Sequence, residues 1–429
     1  MQNHVKKYLK NKYSVEDRII QIYDKAMEEI SDKFCEIEDI KELNTIKILD
    51  AFQKEKVSES HFQATTGYGY GDIGRDGIDR IYSNIFHTES ALVRPHFVNG
   101  THAIYCAISG NLRPGDTLLA ASGKPYDTLH NAIGIGKKSG IGSLKDYGIF
   151  YKEIPLRGDF SVDLERVLDI LKEDKTIKMV HLQRSRGYSY RESLSIKMME
   201  EVISFIKNIR RDVIVFVDNC YGEFVDTLEP TDLGADLIAG SLIKNPGGGI
   251  SNSGGYIAGK DEFVEQASFR LTVPGIGGEC GSNFGVMRNM YQGLFLSPLI
   301  TMEALKSAIL CSKMGELLGY ETIPKSSTLR TDIVQAIKLG SPEKVIEFCR
   351  WIQYSSPVDS FLTCEPWDMP GYDDKVIMAS GSFIQGSSIE ASCDAPIREP
   401  YVAYYQGGLN FCQAKIGIIL AYSKIGGLK

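Results

Sequence analysis

Short apolar runs alternate with amphipathic segments through the middle of the chain. The apolar runs have the length of buried strands and occupy residues 93–98, 116–121, 150–156, 177–183 and 212–218. Between them, LERVLDILKE (164–173) and SIKMMEEVISFIKNI (195–209) repeat apolar residues at helical spacing. The alternation predicts βα units, and therefore a mostly parallel sheet with helices on both faces.

The two ends of the chain follow other patterns. Residues 15–57 are charged and helical, and the apolar segment 283–319 predicts a long helix that bridges two domains. After it, TLRTDIVQAI and SPEKVIEFCRWIQ predict helices, whereas KVIMASGSFI and AYYQGGLNF predict strands. We therefore expect three parts: an N-terminal helical segment (1–60), a large α/β domain (61–300) and a smaller α+β domain (301–429).

Composition and charge narrow the class of protein. The 429 residues are 43% hydrophobic and 24% charged, which is typical of globular proteins. A net charge of −7 argues against nucleic acid or an anionic membrane as the main partner. We expect no membrane span, because no window of the sequence approaches 18 uninterrupted apolar residues. We expect a cytoplasmic protein, because the first residues lack the apolar core of a signal peptide. The nine cysteines and seven histidines show no spacing typical of a metal site.

The most informative passage is residues 212–260. An apolar strand ends in Asp218, and 26 positions later a second apolar run, DLIAGSLI, leads into Lys244 and the flexible NPGGG. A pyridoxal-phosphate (PLP) enzyme needs a carboxylate against the pyridine nitrogen and an amine that forms a Schiff base. Asp218 and Lys244 are therefore candidates for these two roles, with the Ser241 hydroxyl near the phosphate. The alternative is a strand-capping aspartate and a surface lysine.

Two further turns fit the same cofactor. FVNGTHAIYCAISG (97–110) predicts a helix whose first N–H groups, with Gly100 and Thr101, hold a phosphate. In SGKPYDTLHNAIG (122–134), the ring of Tyr126 is placed to stack on the flat pyridine. The alternatives are an ordinary capped helix and a buried tyrosine.

Several motifs together resemble one known group. They are GYGYGDIGRD (67–76), VNGTHAI (98–104), SGKPYDTL (122–129), VDNCYGEF (217–224), GSLIKNPGGGI (240–250) and APIREPY (395–401). With them, the chain resembles the fold-type I PLP enzymes (PLP-dependent transferase-like fold) of the cysteine/methionine-metabolism superfamily. Within that superfamily it is most similar to the methionine gamma-lyase family and the aluminium resistance proteins, which are cystathionine beta-lyase-like.

The resemblance implies a role for each matching residue. It implies that Lys244 is the Schiff-base lysine, that Asp218 is the partner of the pyridine nitrogen and that Tyr126 stacks on the ring, these three being the catalytic residues. Gly100, Thr101 and Ser241 match the phosphate site. Arg398 matches an arginine that clamps the substrate carboxylate, a task suited to guanidinium.

Two segments depart from the family pattern. Better-known members carry Tyr-x-Arg in the glycine-rich segment, where it reaches the neighbouring subunit's phosphate. Here Tyr68, Tyr70 and Arg75 occur instead, and we expect Tyr70 to contact the cofactor. In HLQRSRGYS (181–189), which differs from the usual asparagine-bearing turn, we expect Arg186 to contact the substrate.

The expected activity is carbon–sulfur bond cleavage. The resemblance implies β- or γ-elimination from methionine, cystathionine or cysteine, with release of a keto acid and ammonia. It also implies a homodimer or homotetramer whose active site lies at the subunit interface. Two alternatives stay open: another PLP reaction such as transamination, replacement or carbon–carbon cleavage, and a PLP-binding protein of metal tolerance with little catalysis.

Overall fold

The computed structural model describes residues 1–68, 70–136, 140–370 and 372–426. Gly69 of the glycine-rich segment 67–76 lies outside the described residues. The helices are α1 (Asn3–Tyr13), α2 (Asp17–Glu29), α3 (Ser31–Glu55), α4 (Ile73–Ile85), α5 (Gly100–Asn111), α6 (Asp127–Ile133), α7 (Leu164–Glu173), α8 (Ile196–Ile209), α9 (Asp261–Leu271), α10 (Met287–Leu317), α11 (Pro342–Tyr354) and α12 (Phe411–Ile425). The strands are β1 (Ser90–Arg94), β2 (Thr117–Ala120), β3 (Phe150–Glu153), β4 (Ile177–Gln183), β5 (Ile214–Asp218), β6 (Leu237–Ser241), β7 (Gly255–Gly259), β8 (Glu321–Ile323), β9 (Val334–Lys338), β10 (Val376–Ala379), β11 (Ser392–Pro396) and β12 (Val402–Gln406).

The first seven strands form one mostly parallel sheet, in the order β1-β7-β6-β5-β4-β2-β3. Strand β7 alone runs antiparallel to its two neighbours, β1 and β6. The register pairs Gln183 with Asp218 and Asp218 with Ala239, so β4, β5 and β6 end at the same edge. That edge is where open α/β sheets bind their ligands.

The pattern of apolar runs gave several elements of this sheet correctly. The predicted strand 177–183 and helix 164–173 are confirmed as β4 and α7. The predicted strand 93–98 is wrong in its second half, because β1 ends at Arg94 and a turn follows at Pro95, which has no N–H to donate to a ladder. Strand β7 was missed, since GYIAG is too rich in glycine to read as a strand.

The last five strands form an antiparallel sheet in the order β10-β11-β12-β9-β8. The helix predicted over 328–337 is wrong: its second half is strand β9, which pairs with β12 on one side and β8 on the other. Cross-strand pairing outweighs the weak helical pattern of these residues. Strand β11 was also missed, because SCDAP is polar and ends in proline.

Helix α10 joins the two sheets. It continues through residue 300, the boundary predicted between the large and small domains. Its apolar face packs with α2, α11 and α12 in one core, so the N-terminal helices adjoin the small domain. Among the described residues, α10 is the one helix long and apolar enough to cross a membrane, and 67% of its most apolar window is buried inside the protein. Packing therefore accounts for its apolar character. The domain boundaries at residues 60 and 300 stay predictions.

Candidate active site

A cavity of about 630 Å³ lies between the carboxyl edge of the large sheet and the small sheet. Residues of the large domain line one side of it, and residues 353–394 line the other. The cavity brings together six of the residues predicted from the sequence: Gly100, Thr101, Tyr126, Asp218, Ser241 and Lys244.

Lys244 lies in the short turn that follows β6. Its Nζ is 3.9 Å from the centroid of the Tyr221 ring, a cation–π distance. Burial lowers the pKa of the Lys244 ammonium, whereas its acidic neighbours Cys220, Tyr221 and Asp218 raise it, and the net pKa lies well above its ordinary value. Burial raises the pKa of the Cys220 thiol and of the Tyr221 hydroxyl. These two groups are therefore neutral near pH 7, and Asp218 is the anion that balances the lysine.

Asp218 ends strand β5 and is buried. Its Oδ1 accepts a hydrogen bond of 3.1 Å from the backbone N–H of Cys220. Burial raises the pKa of the Asp218 carboxyl, whereas the Lys244 ammonium lowers it. A buried carboxylate of this kind is stabilised by a protonated nitrogen placed against it.

Tyr126 is held at both ends. Its backbone N–H donates to Gln183 Oε1 at 2.7 Å, and its hydroxyl donates to Thr101 Oγ1 at 2.8 Å. Burial and the Asp218 carboxylate raise the pKa of the Tyr126 hydroxyl, so the group stays protonated at neutral pH. The fixed ring presents a flat aromatic wall to the cavity.

The first turn of α5 forms the anion end of the cavity. Asn99 caps this helix by accepting a hydrogen bond of 2.9 Å from the His102 N–H. Gly100 lies so close to β6 that an added Cβ would be 3.0 Å from the Cβ of Ser241. The N–H groups at the start of this 12-residue helix, with the Thr101 and Ser241 hydroxyls, are groups of the kind that bind a phosphate.

These residues fit PLP. The cofactor needs an amine for its aldehyde, an acid for its pyridine nitrogen, N–H groups for its phosphate and an aromatic face for its ring. Lys244, Asp218, the start of α5 and Tyr126 offer these four features within one cavity.

Three predicted residues lie outside this cavity lining. Tyr70 is 71% exposed and has a left-handed backbone, with φ of 53°. Arg186 is buried and directly follows the cavity residue Ser185 in the chain. Its guanidinium donates to the backbone oxygen of Ile323 at 2.7 Å and lies 3.8 Å from Asp332. The roles of Tyr70 and Arg186 stay predictions.

Arg398 lies in a surface ion pair, 2.8 Å from Asp374. The two side chains are 43% and 39% exposed, and exposed pairs of this kind contribute only about 0–1 kcal/mol. Burial raises the pKa of the Tyr404 hydroxyl, and Arg398 lowers it. The carboxylate-binding role of Arg398 stays a prediction.

The neighbouring Arg184 has a different task. It is fully buried and donates to Asn219 Oδ1 at 2.8 Å and Glu229 Oε2 at 3.1 Å. Asn219 directly follows Asp218, so these hydrogen bonds hold the C-terminal end of strand β5 in place. Gln183, beside it, lines the cavity and holds Tyr126.

None of the predicted site residues lies on the side of the cavity that the small domain supplies. Asp394 and Ser392 on β11, Met378 on β10 and Tyr372 line that side, and Tyr188, which follows β4 in the large domain, packs against Tyr372. Residues two apart on a strand share a face, so Ser392 and Asp394 could have been paired had β11 been recognised.

Comparisons with known proteins show the family of the chain and its fold. The chain is 58% identical to a carbon-sulfur lyase involved in aluminum resistance from Clostridium novyi NT, whose crystal structure matches with a TM-score of 0.95 over 99% of this chain and 100% of that one. It is 48% identical over 390 residues to the uncharacterized protein YnbB of Bacillus subtilis, covering 91% of this chain and 92% of that protein.

A more distant structure shows the fold alone. The PLP-dependent protein YhfS of Escherichia coli is 14% identical, with a TM-score of 0.58 over 89% of this chain and 95% of that one. The predicted fold class, a PLP-enzyme large domain with a smaller α+β domain, is therefore confirmed. The sequence pattern of methionine gamma-lyase matches residues 19–426, and the chain belongs to the methionine gamma-lyase family.

Proposed function

We propose that this protein is a PLP-dependent carbon–sulfur lyase. It converts a sulfur amino acid and water into a thiol, a keto acid and ammonia. The observation that carries the proposal is that Lys244 and the buried Asp218 line one cavity with the first turn of α5. The membership of the methionine gamma-lyase family supports it, as does the Clostridium novyi relative, a carbon-sulfur lyase.

Bound PLP supplies an electron sink for the charge left when the substrate loses its α-proton. The chain supplies the groups around that sink. The Lys244 amine anchors the cofactor and, once displaced by the substrate, takes the proton from the substrate Cα. Asp218 holds a proton on the nitrogen placed against it. The Tyr126 ring, whose hydroxyl donates to Thr101, would fix the orientation of the pyridine ring.

Two predicted residues outside the cavity lining, Arg398 and Tyr70, have a role in this proposal. We propose that Arg398 leaves its exposed pair with Asp374 and binds the substrate carboxylate, since that pair is weak. We propose likewise that Tyr70 reaches the phosphate of a neighbouring subunit in a homodimer or homotetramer, because its side chain is exposed and lies outside the cavity lining of its own chain. We also propose that the protein is cytoplasmic.

The test is a product assay. Purified protein with PLP is given L-methionine, L-cystathionine and L-cysteine separately, and keto acid, ammonia and the released thiol (hydrogen sulfide in the case of L-cysteine) are measured. We expect the three products in equal amounts from at least one substrate, and none from Lys244→Ala. The control is Lys25→Ala, a lysine with 62% of its side chain exposed.

Other outcomes contradict the proposal in distinguishable ways. Keto acid without thiol, with conversion of the cofactor to its amine form, indicates transamination. Binding of PLP without any product indicates a binding protein.

A further inference from the structure

The cavity carries more negative than positive charge. Asp127, Asp218, Asp359 and Asp394 line it, and Lys244 is the one basic side chain among its described lining residues. Lys244 and Asp218 balance each other electrostatically. Asp127 begins helix α6, where the helix dipole favours a carboxylate, and lies 3.9 Å from His130. Asp394 has no such compensation.

Asp394 is a buried carboxylate, only 8% exposed, in the middle of β11. Its Oδ2 accepts hydrogen bonds from the Tyr188 hydroxyl at 3.1 Å and from Gln406 Nε2 at 2.9 Å, both of which are neutral donors. Within the part of the chain that the structure describes, no basic group pairs with Asp394 and nothing hydrogen-bonds Oδ1. Burial raises the pKa of this carboxyl to about 7. Such a group is stabilised when a cation comes against it.

Two tyrosines line the cavity together with this carboxylate, and the hydroxyl of one of them, Tyr188, donates to it. Tyr188 and Tyr372 pack together with ring centroids 5.6 Å apart, and both line the cavity beside Asp394. An ammonium group is attracted by the faces of aromatic rings as well as by a carboxylate. The small-domain side of the cavity therefore has the chemistry of an ammonium site.

The carboxylate also lies within reach of the reacting centre. Burial raises the pKa of the Tyr221 hydroxyl, the Lys244 ammonium lowers it, and the Asp394 carboxylate raises it. Lys244, which acts at the substrate Cα, has its Nζ 3.9 Å from the Tyr221 ring, and both residues line the same cavity as Asp394. A substrate attached at the lysine end extends its far end toward the small domain.

From this geometry we infer that Asp394 binds an ammonium group on the departing half of the substrate. The preferred substrates are then thioethers or disulfides whose leaving sulfur fragment carries its own amine, rather than plain alkyl thioethers such as methionine. The inference rests on the proposed lyase function and assigns Asp394 as a specificity-determining residue.

The test compares two cysteine derivatives of equal length. S-(2-aminoethyl)-L-cysteine ends in an ammonium group, whereas S-propyl-L-cysteine ends in a methyl group at the same place. Both give pyruvate and ammonia by β-elimination, and they leave cysteamine or propanethiol. We expect kcat/KM to favour the aminoethyl compound by about tenfold or more in the wild type, since one good charge contact is worth at least that much.

Asp394→Asn removes the charge and keeps the shape and the acceptor for Tyr188. We expect this variant to lose most of the tenfold preference, chiefly through turnover of the aminoethyl compound. Asp359→Asn is the matched control, because it removes a charge from the same cavity and should keep the preference. An unchanged ratio in Asp394→Asn, or an equal loss in both variants, would overturn the inference. Should Asp394→Asn fail to fold, equal use of the two compounds by the wild type overturns it as well.

A binding measurement separates this inference from the proposed function. In Lys244→Ala, which we expect not to turn over, the affinity for both compounds is read from the change in tryptophan emission, since one of the two tryptophans, Trp367, lines the cavity. Tighter binding of the aminoethyl compound, weakened by Asp394→Asn in the same background, supports the ammonium site even if no thioether is cleaved. Equal binding of the two compounds, together with an active wild type, would contradict the ammonium site and leave the proposed lyase function unaffected.

Discussion

Among single residues, Glu223 is a buried acidic side chain whose protonation affects the stability of the fold. Its side chain is fully buried, and the Tyr256 hydroxyl donates to its Oε1 at 2.9 Å. Burial raises the pKa of Glu223 from its ordinary 4.5 to about 8. The carboxyl is therefore neutral in the folded protein near pH 7, where the same group in the unfolded chain is ionised.

The pH dependence of stability follows from that difference. Between about pH 4.5 and 8 the folded state holds a proton on Glu223 that the unfolded state has lost. Stability from this group is thus complete below the unfolded pKa and is lost as pH rises through the folded pKa. Glu223→Gln stays neutral at every pH, so we expect it to gain in Tm over the wild type between about pH 5.5 and 8.5.

Thermal unfolding of the two proteins at both pH values measures this gain. Glu173→Gln, at an exposed position on α7, is the control and should show no pH-dependent difference from wild type. A Tm difference between Glu223→Gln and wild type that stays constant with pH would contradict a neutral buried Glu223.

Among the elements, the contact between α5 and β6 sets the shape of the phosphate end. Gly100 begins α5 directly against Ser241, where an added methyl group would be 3.0 Å from the Ser241 Cβ. Overpacking of a close contact costs about 1–3 kcal/mol unless the elements move apart. Either response displaces the N–H groups that we expect to hold the phosphate.

Gly100→Ala should therefore bind PLP more weakly, by roughly tenfold for about 1.4 kcal/mol. The dissociation constant is measured by titrating PLP into cofactor-free protein. Gly158→Ala provides the control, because no heavy atom lies within 4 Å of a Cβ added there. Equal affinity in Gly100→Ala and wild type would show that the phosphate does not depend on this turn.

The elements also show what the sequence could and could not predict. The end of β5 at Asp218 and the turn after β6 at Lys244 were found, because apolar runs followed by a polar residue have a clear pattern. Strands β9 and β11 were not found, since their stability comes from pairing with distant strands. The large-domain side of the site was therefore predicted from sequence, and the small-domain side with Asp394 was not.

On the scale of the whole molecule, the site exists only where two domains meet. Neither the large sheet with Lys244 and Asp218 nor the small sheet with Asp394 encloses the cavity by itself. Helix α10 links the two sheets and packs in the core of the small domain. In our proposal the large domain supplies the catalytic residues Lys244 and Asp218, and in our inference the small domain determines the substrate preference through Asp394.

The central claim is that this cavity holds PLP covalently on Lys244. The most direct measurement is the absorption spectrum of purified protein with PLP, before and after borohydride, for wild type, Lys244→Ala and the exposed-lysine control Lys25→Ala. Wild type and Lys25→Ala should show a visible band that borohydride bleaches, and mass spectrometry should then find the cofactor fixed on the Lys244 peptide. Lys244→Ala should lack that fixed cofactor. A wild type that takes up no PLP, or that fixes it elsewhere, would contradict the claim and every role built on it.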